Sequence, residues 1–507
     1  MKTMDGTLER PGMAQAPSRG GFRPGNLSAW WVLAAVGALT LVTASLLDFL
    51  PDNVSGWELL PLLGVGILLF SVLLAGLGSS HTRTASAWRI GLVLWWFLLC
   101  SQEFFVRFTS PEATVGGNFA PAAYEEAIFW ILILVALGIA TLGSPGYLGN
   151  IVSGHYGWMT LYVILCAAST ILSPNFMFSL AWAFKLGLVA LVIQLLSSQM
   201  QDYADLRSFL RVTLWAFAFL SIVPTLQSFM NPSQAFGEGG RLGGLLAPDE
   251  QSALSGILVL LVLSLYSESR LRWPLALGGV GIATMVMSGG KTGIAAAVIS
   301  CVAFYLLQKK YWPAIGLLGG FVVVGLPLYL FTPIGAYFDR YLQSGQASTF
   351  TGRTAIWQSA ISGILQRPIL GHGFVASLFM SNQIVDMRFA ATHTHNGFLE
   401  ALYNNGVVGL LLMLLILGTI ARNLWKAYRQ PANLERYPQL SAGLIAIFLN
   451  LLINAMANAT FAGRVRANFV LLLGMVVISD VIVRSRDQAS VDAVSEESVE
   501  NLPAGRG

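Results

Sequence analysis

Two of the five histidines in this 507-residue chain stand one residue apart, in Thr392-His393-Thr394-His395-Asn396-Gly397. Apolar sequence long enough to cross a membrane follows at once. Asn396 is a natural helix cap, because its short side chain can accept from the first free N–H groups of a helix. His395 then lies just outside a helix N-terminus, whose partial positive charge disfavours imidazolium. A neutral imidazole near pH 7 can serve as a general base. His395 is therefore the candidate to remove a proton, with His393 and Asn396 in support. Two other readings stand beside this one. The histidines could be structural, or they could hold a metal, although two ligands on a loop without a nearby cysteine or carboxylate cluster make a poor site. No metal or other cofactor is expected.

Basic residues from distant parts of the chain accompany them. Arg241 lies in Gly239-Gly240-Arg241-Leu242-Gly243-Gly244, and Lys291 in Ser288-Gly289-Gly290-Lys291-Thr292. The neighbouring glycines let backbone approach a ligand closely. Arg353 opens the run Thr351-Gly-Arg-Thr-Ala-Ile-Trp-Gln-Ser-Ala-Ile-Ser-Gly-Ile-Leu365, and Arg388 follows it. A guanidinium beside a helix start is well placed to grip phosphate. Arg241, Lys291, Arg353 and Arg388 are thus candidate ligands of an anion. Lys291 could instead snorkel to a membrane interface. Gly-Gly-Lys-Thr is a fragment of a nucleotide-binding P-loop, but the full spacing and the preceding strand are missing.

The elements that must position these residues are membrane helices. Hydrophobic residues make up 55% of the chain and charged residues only 11%, against about 25% charged in soluble domains. That balance excludes a soluble enzyme, a disordered chain and a nucleic-acid-binding protein. About 20 apolar residues are needed to span a bilayer. Candidate spans fall near 28–50, 57–79, 87–106, 124–145, 157–173, 176–198, 208–230, 251–268, 273–289, 292–307, 312–331, 397–421, 439–460 and 467–483. The pair 273–289 and 292–307 is short, so the expectation is an all-α polytopic protein of 12–14 spans.

Residues 1–27 form a basic, disordered tail, 28–331 a first transmembrane bundle and 332–396 a long outer loop. Spans resume over 397–485, and 486–507 read as a disordered tail. Lys and Arg crowd alternate turns, among them Arg207 with Arg211, Arg270 with Arg272, and Lys309 with Lys310. By the positive-inside rule both termini are cytoplasmic and 332–396 faces outward. Arg107, Arg241, Lys291, Arg340, Arg353, Arg367, Arg388, Arg464 and Arg466 then lie outside, against that rule, as an outer anionic ligand would explain. Within the loop, Ile356, Trp357, Ala360, Ile361, Ile364 and Leu365 recur at helical spacing, which predicts an interfacial amphipathic helix, either a plain lid or part of the site. Lys185 is a base deep within a span, so it is functional by default or else snorkels. Cys100, Cys166 and Cys301 lie in apolar runs as packing residues.

These motifs together resemble the O-antigen ligase family, which includes O-antigen and exopolysaccharide polymerases. The resemblance rests on Arg241-Leu-Gly-Gly, the Ser288–Thr292 turn, Thr351–Trp357, Pro368-Ile-Leu-Gly-His-Gly373, His395-Asn-Gly-Phe-Leu-Glu400 and Asn404-Asn-Gly-Val-Val-Gly-Leu410, over roughly 240–425. Where the family often has Ser-Arg in the outer hairpin, this chain has Ser-Gly-Gly-Lys291.

The resemblance implies a GT-C-like glycosyltransferase of the bacterial inner membrane with its site facing the periplasm. It implies an undecaprenyl-diphosphate-linked glycan as donor and a glycan or the lipid A core as acceptor. Transfer would invert the anomeric centre without a metal, and other polysaccharide export proteins are implied as partners. A polymerase is slightly favoured over a ligase. The competing classes are a lipid-linked glycan flippase and a structural member of an export complex. The absence of an internal repeat and the single elaborated loop argue against the transporter.

Overall fold

The computed structural model describes residues 96–97, 99–100, 156–200, 203–230, 236, 241–242, 246–266, 273–331, 353–383, 393–429, 438–458 and 461–500. The basic tail 1–27, the expected spans near 28–50, 57–79 and 124–145, and Arg388 lie outside the described residues. Eleven α-helices are described: α1 Gly157–Ser169, α2 Phe176–Gln199, α3 Tyr203–Met230, α4 Pro248–Tyr266, α5 Trp273–Ser288, α6 Lys291–Leu307, α7 Tyr311–Phe331, α8 Arg353–Gln366, α9 Gly397–Tyr428, α10 Pro438–Ala457 and α11 Ala467–Glu500. Among the described residues, β pairing is confined to one bridge, Phe236 with Leu242.

Every expected span from residue 157 onward coincides with a helix. Six described segments are long and apolar enough to cross a bilayer, within α2, α3, α4, α9, α10 and α11. Three shorter apolar helical stretches accompany them: Gly157–Leu172, which contains α1, and the pair α5 and α6. The chain is a multi-pass, all-helical membrane protein.

α4 is the central helix and packs against α3, α5, α6 and α10. Hydroxyls tie this group of helices together in the apolar interior, where helix association depends on close packing and interhelical hydrogen bonds. Ser255 meets Ser221 of α3 at 3.2 Å, and Thr284 of α5 meets Thr225 of α3 at 2.5 Å. The α5–α6 turn lies against the start of α4. Gly289 has φ +60°, and a Cβ on Gly290 would press on Ser252 and the Pro248 carbonyl. The two glycines are thus needed where they stand.

α9 packs against α1, α8, α10 and α11. The sequence suggests one straight span, but the helix breaks at Gly406, whose φ/ψ of 64°/−166° is open only to glycine at low cost. The break frees backbone groups, and the segment after α8 takes them up. His372 N–H donates to the Tyr403 carbonyl (2.9 Å) and Gly373 N–H to the Asn404 carbonyl (2.8 Å). In return, Val407 N–H donates to Pro368 O (2.8 Å) and Val408 N–H to Ile369 O (3.3 Å). Asn404 and Asn405, both fully buried, secure the break laterally. Asn404 donates to Ala462 O and accepts from Ser377 N–H, while Asn405 accepts from Ser169 of α1.

One sequence expectation is corrected. The segment 486–507 reads as a disordered tail in sequence, yet α11 continues to Glu500. No Gly or Pro interrupts it before Pro503, so nothing in the chain stops the helix once the apolar part has started it. In α8, the apolar positions divide into two sets. Ile356, Ala360, Gly363 and Ile364 are buried, whereas Ile361 and Leu365 are exposed. The three cysteines are buried and unbridged, and Lys185 is buried with its Nζ 4.4 Å from the centre of the Trp182 ring.

Candidate active site

The starts of α4, α6, α8, α9 and α11 meet at one end of the bundle, with Lys291, Arg353, His393, His395 and Asn396 at or just before them and Arg241 brought to them by the fold. Asp249, in the first turn of α4, is the meeting point. Its Oδ1 accepts from Arg241 Nη2 at 2.6 Å, and its Oδ2 lies 3.7 Å from Nη2 of Arg353, at the start of α8. Lys291, at the start of α6, is close enough to feel both Arg241 and Asp249. The adjoining Glu250 pairs with Arg466, just before α11, at 2.5 Å. Five helix N-termini therefore add their partial positive charge to that of Arg241, Lys291, Arg353 and Arg466.

Arg241 is more than a ligand candidate. Its Nε donates to Ser288 O (3.0 Å) and its Nη2 to Gly289 O (3.3 Å) as well as to Asp249. It thereby caps the C-terminal carbonyls of α5 and fixes the hairpin turn that presents Lys291. Nη1 is left for a ligand, and the side chain is one-third exposed.

The histidine loop is held from below. Glu400, one turn into α9, is buried and its carboxylate accepts from Ser377 Oγ, from Thr394 N–H (2.9 Å) and from Thr394 Oγ1 (2.7 Å). The indole of Trp357 in α8 donates to Thr394 O at 2.9 Å. With Thr394 drawn inward, His393 and His395 on either side of it come together, ring centroids 3.9 Å apart. His395 has φ +52°, a strained value that the surrounding bonds must offset. Asn396 is the expected cap: its side chain accepts from Phe398 N–H (2.9 Å) and Leu399 N–H (3.1 Å).

Both imidazoles are held neutral. Burial is the main cause for His393, which is pushed well below the usual range, with His395, Arg466, Arg464 and Arg353 adding repulsion. Burial also lowers His395, to about 4, reinforced by Arg353 and Arg466 and opposed by Asp249. The helix start invoked from sequence acts in the same direction. Nδ1 of His395 is buried and has no hydrogen-bond partner, an unsatisfied polar atom inside the cluster.

Of the residues singled out from sequence, Arg241, Lys291, Arg353, His393, His395 and Asn396 belong to this one cluster. Asp249, Glu250, Glu400, Arg464 and Arg466 were not singled out for it. For the two arginines a signal existed, since both lie outside against the positive-inside rule. The Pro368–Gly373 and Asn404–Gly406 motifs form the backbone clamp that braces the first turns of α9.

This stretch of chain, from the α5–α6 hairpin through the clamp, the histidines and the break in α9, is also where known sequences are similar. Residues 276–414 match the O-antigen ligase family. The O-antigen ligase match lies inside the 240–425 stretch on which the sequence resemblance rests, and it includes Lys291, Arg353, His393, His395 and Glu400. Arg241, Asp249, Glu250, Arg464 and Arg466 fall outside it and join the cluster through the fold. The chain is also 32% identical over 83 residues to the exopolysaccharide production protein ExoQ of Rhizobium meliloti (strain 1021), which covers 15% of this chain and 19% of that relative. The match thus spans about a fifth of the relative's length.

Proposed function

We propose that the chain is a GT-C-like glycosyltransferase of the bacterial inner membrane. It moves a glycan from undecaprenyl diphosphate to an acceptor sugar hydroxyl on the periplasmic face. The observation that carries this reading is a neutral histidine with a free, buried Nδ1 beside a cluster of arginines and helix starts. His395 takes the acceptor's proton as its oxygen attacks the anomeric carbon. The bond from that carbon to the diphosphate breaks, and its electron pair leaves with the phosphate. Attack opposite the leaving group inverts the anomeric centre. Negative charge grows on the diphosphate, where fixed positive charge stabilises it most. Lys291, Arg353 and the Nη1 of Arg241 hold it, and no metal is invoked. Arg388 is a further candidate ligand from the same loop.

The acceptor divides two versions. The name of the relative ExoQ favours an exopolysaccharide or O-antigen polymerase, whose acceptor is another glycan. The family description favours transfer to the lipid A core. Purified protein with a defined lipid-linked repeat as the only substrate decides between them. Chain growth identifies a polymerase, and growth that waits for lipid A core identifies a ligase. Protein that produces neither, yet moves lipid-linked glycan between leaflets of a vesicle, would be a flippase and would end the proposal.

A further inference from the structure

We infer that Asp249 is an internal counter-anion that tempers the grip of this site on diphosphate and so permits product release. This inference rests on the functional reading above. A carboxylate here is unexpected in a cluster built to bind anions, and the two oxygens are divided between two cations. Oδ1 lies 2.6 Å from Arg241 and Oδ2 3.7 Å from Arg353, residues that the chain keeps more than a hundred positions apart. A bridging carboxylate presents two oxygens to two guanidinium groups, as a diphosphate oxygen pair would. Asp249 is about one-third exposed, so a ligand reaching Arg241 and Arg353 meets it. Lys291 also lies within its field.

The chemistry supplies a reason for such a residue. The donor diphosphate carries a sugar on one side and lipid on the other, with two ionisable oxygens. Once the sugar has gone, the departing diphosphate has a further ionisable oxygen, while the proton taken from the acceptor sits on His395. The site therefore holds the product more strongly than the donor. Without a competing anion, a cluster that lowers the barrier would also retain the product. Asp249 repels the extra charge and offers the arginines a partner as the lipid diphosphate departs.

Glu250 and Asp249 are thereby assigned different tasks. Glu250 is a fixed partner of Arg466, its side chain only 11% exposed. Asp249 is the exchangeable one.

The test is direct binding of undecaprenyl diphosphate to the purified full-length protein, alongside steady-state and single-turnover kinetics. Asp249→Asn keeps the size and one acceptor oxygen. It should bind undecaprenyl diphosphate about tenfold tighter, as expected when a like charge within a few ångströms is removed from a partly exposed site. It should also convert the time course to a burst followed by slow turnover, with single-turnover chemistry near wild type. Asp249→Glu should bind as wild type does. Inorganic pyrophosphate should compete more strongly in Asp249→Asn if the site reads the diphosphate itself; competition unchanged while the lipid form tightens would place the effect on the lipid and overturn the inference. Equal or weaker binding of undecaprenyl diphosphate by Asp249→Asn would make Asp249 a mere orienter of Arg241 and also overturn it. If wild type binds no diphosphate, the functional reading itself falls, and the inference with it.

Discussion

His395 combines three properties that a general base needs: neutrality at working pH, a free ring nitrogen, and a position beside the groups that would hold the leaving group. His395→Ala should cut turnover at least a hundredfold and leave donor affinity near wild type. Because its imidazole lies near 4, it is unprotonated across neutral pH. The sign follows directly: kcat/KM should be level from roughly pH 8 to pH 6 and fall as protonation removes the base toward pH 4. A bound diphosphate would raise this pKa, so kcat should begin to fall at higher pH than kcat/KM. Parallel profiles for wild type and His395→Ala would remove His395 from the mechanism. Arg241→Ala should weaken donor binding by one to two decades, since a charge-assisted hydrogen bond to phosphate contributes about 1.5–3 kcal/mol. It should also loosen the hairpin, which Arg241→Lys would only partly restore because a point charge cannot reach three acceptors in fixed directions. The sequence showed the histidine beside its capping asparagine because both features are local. Asp249 and Glu400 each have one near partner in sequence, Arg241 and Thr394, but their second partners, Arg353 and Ser377, join them only through the fold, which local spacing does not show.

Short elements hold the histidine loop, and they are sensitive to small changes. Glu400→Gln replaces one acceptor oxygen with an N–H₂ facing groups that already donate. Turnover should fall more than donor affinity, as expected if Glu400 positions the loop through Thr394 and touches no substrate. Gly406→Ala places a Cβ against the Ile369 carbonyl at a positive φ, so it should lower the melting temperature sharply or abolish folded protein in detergent. Gly418→Ala, where a Cβ meets nothing within 4 Å, is the control and should be tolerated. Hydropathy revealed the helices because lipid requires long apolar runs. It could not reveal the break in α9, since Asn404-Asn405-Gly406 is only a brief polar lapse in an apolar span. Nor could composition foretell α11 beyond residue 485, where acidic and serine-rich sequence usually signals disorder yet remains compatible with helix.

Among the described residues, helices alternate so that one end gathers the cationic site and the other carries Lys309, Lys310, Lys426, Arg429 and Arg484. At that second end Tyr428 OH donates to Leu307 O at 2.7 Å, beside Lys309 and Lys310. There too Arg484 pairs with Asp480 at 2.6 Å and reaches Tyr156. The proposed orientation places the site end outward. The exposed Ser362 of α8, changed to Cys, should then react with an impermeant thiol reagent in intact spheroplasts. Lys310→Cys, in the turn before α7, should react only after lysis. The three native cysteines are buried and serve as an internal blank. The reverse pattern would invert the topology and place the histidines in the cytoplasm.

The hydrogen bonds that join residues 368–373 to 403–408 are between backbone groups, and this sets how such a sequence can drift. Ile369 and Leu370 are exposed, and Ile369 joins the clamp through its carbonyl, a group that every residue possesses. Their identities are therefore free to change among apolar residues, while the spacing from Pro368 to Gly373 is not. A one-residue deletion there would put every donor opposite the wrong acceptor. Variation among descendants of this chain should appear as substitutions at 369 and 370, and insertions or deletions should be purged between 368 and 373.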